Sequence, residues 1–205
     1  SERNYSSVPV LSGDWTKTDA FNSITMNATG DLLFIVAKGN VTAVDAEDGS
    51  IKWTLPKSGA AGIAPSPDGK YLALGMPTMN KIYMQKTDTG EDAFEIDCIK
   101  LNNNVPMLSF SPDGKQLAMG SFEGEISIFD VEAKEEVLTL VPDEKIAGPC
   151  IPVEYLPNGD QLISGHFTGD YLLWDVASGE VLHHFEEEGM PLDVGVSKNG
   201  EQVAT

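Results

Sequence analysis

Five tight turns, each with a glycine at the same place in a recurring pattern, constrain this chain more than any other feature. They read Thr29-Gly30-Asp31, Pro67-Asp68-Gly69, Pro112-Asp113-Gly114, Pro157-Asn158-Gly159 and Lys198-Asn199-Gly200, and glycines 30, 69, 114, 159 and 200 are separated by 39, 45, 45 and 41 residues. Proline presets φ, aspartate or asparagine caps the turn locally, and glycine accepts positive φ. A second anchor follows, a short stretch ending in Asp: Val44-Asp45, Phe129-Asp130 and Trp174-Asp175, with Gln85 in place of Asp in the second copy. A third is a polar turn at Asp48-Gly49, Thr89-Gly90 and Ser178-Gly179, where the third copy has Lys134-Glu135 without the glycine. Repetition at this period restricts the chain to repeat architectures.

The clearest copy runs from Val105 to Leu140. Met107, Ser109 and Ser111 alternate there with Leu108 and Phe110, the period-2 pattern of a half-buried strand. Gln116–Met119, Glu125–Asp130 and Val137–Leu140 form the second to fourth strands, divided by turns at Asp113-Gly114 and Glu123-Gly124. In the first copy the strands fall near Phe21–Met26, Leu32–Ala37, Val41–Asp45 and Ile51–Leu55. The second copy opens on a poor strand, because Gly59-Ala60-Ala61-Gly62 offers little side chain. Four short strands every 40–45 residues, with no helix between them, are the signature of a propeller blade. One small twisted sheet cannot bury both faces alone, and stacking blades around an axis buries them against each other.

The expected fold class is therefore all-β: a β-propeller of four-stranded antiparallel blades. The blades span about 14–56, 57–101, 102–142 and 143–188, with a partial fifth at 189–205. About four and a half blades imply part of a roughly seven-bladed ring. The alternative is a small five-bladed ring closed by an N-terminal strand at Ser7–Leu11, within a lead segment 1–13.

The 205 residues carry a net charge of −19, which repels phosphate backbones and anionic lipid. Direct nucleic-acid binding is disfavoured, and no apolar run reaches the roughly 18–20 residues of a membrane helix. Cys98 and Cys150 stand far apart without metal spacing, so the expectation is two reduced, buried thiols in a cytoplasmic protein, with the nucleus as the alternative location.

The third and fourth copies, SFSPDGKQLAMGSFEGEISIFDVEAKEEVLTL and YLPNGDQLISGHFTGDYLLWDVASGEVLHHF, resemble WD40 repeats, the second with its literal Trp174-Asp175. The resemblance extends over about 15–205 and is weaker in the first two copies. The Gly-His pair that opens such blades is missing, and the buried Asp before the third strand is replaced by Asn40, Asn80, Glu123 and Thr168. The family's hydrogen-bonded tetrad is thus expected to be absent, so that blade stability should rest more on apolar packing. Within the family, blades two to four are loosely similar to the propeller subunits of Ski complexes. The resemblance implies a non-catalytic scaffold for protein–protein interaction within a multi-subunit complex, whose partners are other protein subunits, some with basic surfaces.

Catalytic signatures are few. The sequence has no phosphate loop, nucleophile elbow or His-x-x-x-His pair. His183 and His184 are adjacent in an outer strand, so they point to opposite faces and do not readily share a metal. No catalytic residue, cofactor or metal site is expected. Acidic side chains cluster in the turns of one face, including Asp31, Asp48, Asp68, Asp113 and Glu180; they read either as a solvated surface or as a docking surface for a basic segment. The first copy, with Ala43–Gly49 followed by Trp53, also resembles a quinoprotein repeat, in which such a tryptophan docks neighbouring blades. That likeness implies the alternative function, a quinoprotein- or lactonase-like enzyme with its site on the central axis, where Glu154 and Asp193 are the acidic candidates.

The strongest interaction signal is a pair of aromatics. Gly120-Ser121-Phe122-Glu123-Gly124 and Gly165-His166-Phe167-Thr168-Gly169 align position for position. In the WD40 arrangement these turns project on the narrow face, where partners commonly dock, so Phe122, Phe167 and His166 are expected at exposed turn tips. Met76 and Met79 in the longer turn of the second copy, and Met190 in a later loop, are expected on the same face.

Overall fold

A computed structural model describes residues 21–98, 107–146 and 148–205. The proposed closing strand at Ser7–Leu11, the lead segment 1–13 and the blade limits at 14 and 101–102 lie outside the described residues.

Four four-stranded antiparallel sheets follow one another in chain order, with a two-stranded fifth. The first comprises β1 (Phe21–Met26), β2 (Leu32–Ala37), β3 (Asn40–Asp45) and β4 (Ile51–Pro56). The second comprises β5 (Ile63–Pro65), β6 (Tyr71–Met76), β7 (Lys81–Lys86) and β8 (Asp92–Asp97). The third comprises β9 (Leu108–Phe110), β10 (Gln116–Gly120), β11 (Ile126–Asp130) and β12 (Glu135–Leu140). The fourth comprises β13 (Cys150–Tyr155), β14 (Gln161–His166), β15 (Asp170–Asp175) and β16 (Val181–Glu186). The hairpin β17 (Gly195–Val196) and β18 (Val203–Ala204) begins the next unit.

Each sheet carries an irregularity at the same place, between its third and fourth strands: at Ala43/Val44, Met84/Gln85, Ile128/Phe129 and Leu173/Trp174. An unpaired residue there bends the outer strand and increases local twist. The innermost strands β1, β5, β9 and β13 touch in succession, which sets the sheets around a common axis.

The core lies between sheets rather than within one. Phe34, Val36 and Trp53 of the first sheet pack on Ile63, Leu72 and Leu74 of the second. Ile82, Met84 and Ile96 meet Leu108, Leu117 and Phe129, and Ile126 and Ile128 meet Val153, Leu162 and Trp174. Trp53 also donates its Nε1 hydrogen to the Thr87 carbonyl of the second sheet at 2.8 Å, the inter-blade docking expected of it. The inner strand of the third sheet departs from its half-buried reading. Leu108, Ser109, Phe110 and Ser111 are all buried, because a neighbouring sheet covers each face.

The recurring turn joins sheets as well as strands. Glycines 114, 159 and 200 have φ near +72 to +78°, and a Cβ at each would sit 3.4–3.6 Å from Pro67, Pro112 and Pro157 of the preceding sheet. Gly69 has nothing within 4 Å, and Ala28 occupies the corresponding place in the first sheet. The turn carboxylates are also committed. Asp31 is held below the usual carboxylate range by hydrogen bonds from Thr29 and Asn27, Asp113 by the Lys115 backbone N–H and Ser111, and Asp175 by the Ser178 backbone N–H and hydroxyl.

Candidate protein-docking face

The second-to-third-strand turns lie at the same end of the sheets as the described inter-sheet segments, and backbone hydrogen bonds tie the two together. Lys57 N–H donates to Gly39 O, Cys98 N–H to Asn80 O, Cys150 N–H to Ser121 O, Phe167 N–H to Pro149 O and Glu187 N–H to Gly169 O, all at 2.8–3.0 Å. Around Phe122 and Phe167 the fit is close. A Cβ on Gly124 would lie 2.8 Å from Gly148 O, and one on Gly169 would lie 2.4 Å from Glu187 O, so both turns need glycine for lack of space and for their φ of +91° and +94°. In the second sheet a single 3-10 turn at Pro77–Met79 ends on left-handed Asn80 and carries Met79 outward.

Phe122 is 57% exposed, Phe167 52%, Met79 54% and Met190 45%. A large apolar ring half in water on each of two adjacent sheets has the make-up of an interface anchor.

Two residues expected on this surface are instead inside. His166 is completely buried and Met76 nearly so. Both end a second strand and share a face with that strand's core residues, since side chains alternate: Leu72, Leu74 and Met76 in β6, and Leu162, Ser164 and His166 in β14. Phe167, one residue on, lies outside the strand. The period-2 rule applied through the last strand residue would have placed both side chains correctly.

His166 completes a buried network. Trp174 Nε1 donates to Ser164 Oγ at 2.8 Å, and Ser164 Oγ lies 2.9 Å from His166 Nε2. The fourth sheet thus adds a buried hydrogen-bonded set to the apolar packing on which blade stability is expected to rest more. A histidine from the strand end supplies the imidazole there. Its Nδ1 has no hydrogen-bond partner among the described residues. Burial pushes the imidazole down to about 4, outweighing an upward pull from Asp170 and reinforced by a smaller downward push from His184.

Beside this network, Asp170 and Glu186 stand directly opposite one another on β15 and β16, and His184 bonds to Asp170. The donor atoms of Asp170, His184 and Glu186 lie within 4.8 Å of one another, a spacing that could hold a divalent cation. His183 takes no part, pointing to the other face beside Phe185 as strand alternation requires.

Where the innermost strands converge, a cavity of about 310 Å³ is lined by Thr25, Ile63, Leu108, Phe110 and Glu154 among others. Burial raises the Glu154 carboxyl, against a hydrogen bond from Ser109. Asp193 is exposed. Cys98 and Cys150 are both buried, and burial pushes the Cys150 thiol up to about 12. No helix among the described residues is long and apolar enough to cross a membrane.

Residues 66–153, less than half of the chain, match the family model described as the anaphase-promoting complex subunit 4 WD40 domain. No curated protein matches the chain in sequence. Among solved structures, hydrazine synthase of Kuenenia stuttgartiensis superposes with a TM-score of 0.78 at 23% identity, over 94% of this chain and 57% of that one. The β-propeller domain of Cps50 (Swd1) from Myceliophteria thermophila superposes with a TM-score of 0.74 at 18% identity, over 90% of this chain and 64% of that one. The chain therefore spans less than two thirds of either structure. At these identities the likeness concerns the fold: this is a β-propeller, and its WD40 likeness is carried by residues 66–153.

Proposed function

We propose that this chain is a non-catalytic WD40-type module that binds other protein subunits of a complex through the face bearing Phe122, Phe167, Met79 and Met190. The carrying observation is the pair of half-exposed phenylalanines at equivalent turns, each fixed by backbone bonds to the loop between them. Rings held in place lose little freedom on binding, so their burial converts efficiently into affinity. The match of 66–153 to a WD40 domain supports the class, since such domains commonly act as interaction scaffolds. The complex is to be identified by its partners, with a Ski-type assembly one candidate. A net charge of −19 argues against nucleic acid and membrane surfaces as the ligand. The cytoplasm or nucleus is the compartment we assign, since Cys98 and Cys150 are two buried cysteines placed far apart in the sequence.

The double substitution Phe122→Ser/Phe167→Ser should abolish co-purification of partners while leaving the melting temperature within about 2 °C, because both side chains are already exposed. Asp88→Ser, in a third-to-fourth-strand turn on the opposite face, should leave capture intact. Unchanged capture by the double variant refutes the docking face.

The competing reading, a propeller enzyme with an axial site, has Glu154 in its favour, a half-buried carboxyl of raised pKa lining a cavity. The remaining inner-strand side chains at that cavity are mainly apolar, among them Ile63, Leu108 and Phe110. A turnover lost on Glu154→Gln, with partner capture unaffected, would establish the enzyme instead.

A further inference from the structure

On the face of the recurring glycine turns some carboxylates are ion-paired: Asp45 with Lys52, Asp68 with Lys70 and Glu91 with Lys86, at 2.8–3.1 Å. On the docking face, Glu123 adjoins Phe122, Glu144 lies in the loop between the two aromatic turns, and Glu186, Glu187 and Glu188 run past the Phe167 turn. None of these five forms an ion pair among the described residues. Lys145 is the one lysine in these segments, and it too has no salt-bridge partner among them.

Five uncompensated carboxylates around two exposed rings define the chemistry of the occupant. We infer that the Phe122–Phe167 face takes an extended protein segment carrying several arginine or lysine side chains spaced by apolar residues. This rests on the docking-face reading above and specifies its ligand. The cationic heads reach the glutamates, while the aliphatic stems and intervening apolar side chains cover the rings. The same pairing of cation and ring already occurs within the molecule, where Lys57 Nζ lies 4.7 Å from the Tyr83 ring centre and Lys134 Nζ 4.9 Å from that of Phe94. A second copy of this chain does not fit, because two such faces would bring like charge onto like.

The test uses the intact protein and a fluorescein-labelled twelve-residue peptide of alternating arginine and leucine, with a counterpart in which glutamate replaces arginine. Fluorescence anisotropy should show binding of the arginine peptide only, weakening about tenfold or more between 50 and 300 mM salt. Glu186→Gln/Glu187→Gln/Glu188→Gln should weaken it about tenfold, and Phe122→Ser/Phe167→Ser about thirtyfold. Circular dichroism melting checks that each variant is folded, and Phe122→Ser alone replaces the pair if it is not. Absent binding, equal binding of the glutamate peptide, or no effect of the glutamine variant overturns the inference. Native partner capture that needs the phenylalanines but ignores the glutamates would keep the docking face and remove the basic ligand.

Discussion

Replacing His166 by glutamine removes one titrating group from the interior of the fourth sheet, and the pH dependence of stability reads the consequence directly. In the folded protein the ring accepts protons only near pH 4, against about 6.5 in an unfolded chain. Its environment explains why: Nε2 faces the Ser164 hydroxyl, and a second N–H on Nδ1 would have no acceptor among the described residues. Because the folded value is the lower one, the unfolded state takes up a proton first. Stability is therefore complete above pH 6.5 and falls as the pH drops toward 4. Linkage with a folded pKa of about 4 gives a loss of about 2 kcal/mol by pH 5 and about 3 kcal/mol in full. Most of this occurs above the window in which aspartates such as Asp31 and Asp113 contribute, since those are held below the usual carboxylate range. Urea unfolding at pH 7, 6 and 5 should show the wild type losing about 2 kcal/mol that His166→Gln does not lose, even though the variant starts lower at pH 7. Parallel curves for the two proteins would refute the assignment of a buried, neutral imidazole.

Four further outcomes follow from named residues. Trp53→Phe removes the donor to the buried Thr87 carbonyl and should cost about 1–3 kcal/mol, read as a lower urea midpoint. Gly90→Ala should cost about 2–4 kcal/mol, because a Cβ there would lie 2.6 Å from Leu55 and 2.9 Å from the Trp53 ring. Gly69→Ala, with a similar φ of +72° but nothing within 4 Å, should show only the backbone part of that penalty, about 1–2 kcal/mol. Cys98 and Cys150, both buried, should resist a thiol reagent at pH 8 in the native protein and react fully in guanidinium.

The strands were readable from sequence because their limits are set by local chemistry. A turn that needs positive φ writes a glycine into the chain at Gly30, Gly69, Gly114, Gly159 and Gly200, and β1 and β2 begin and end where such turns predict. What could not be read locally was the second covered face. Ser109 and Ser111 look like the wet side of a strand until a neighbouring sheet closes over them. The candidate site divides along the same line. Phe122 and Phe167 are exposed as expected of turn tips, whereas His166 and Met76 are still strand residues whose alternation turns them inward. The Trp174–Ser164–His166 network was missed because the imidazole comes from the strand end and not from the inter-blade linker where the resemblance places it.

The proline–glycine contact between successive turns has a consequence for how such a chain grows. The second, third and fourth sheets each offer a proline on one side and a bare glycine on the other, so the joint is self-complementary from one unit to the next. A duplicated unit brings both halves of the joint with it and can be spliced in without altering its neighbours. Between the first and second sheets the joint is unfilled, since Ala28 stands where the others have proline. At that seam Trp53 supplies what the proline does elsewhere, a buried ring packed across the joint together with a hydrogen bond to the Thr87 carbonyl of the next sheet.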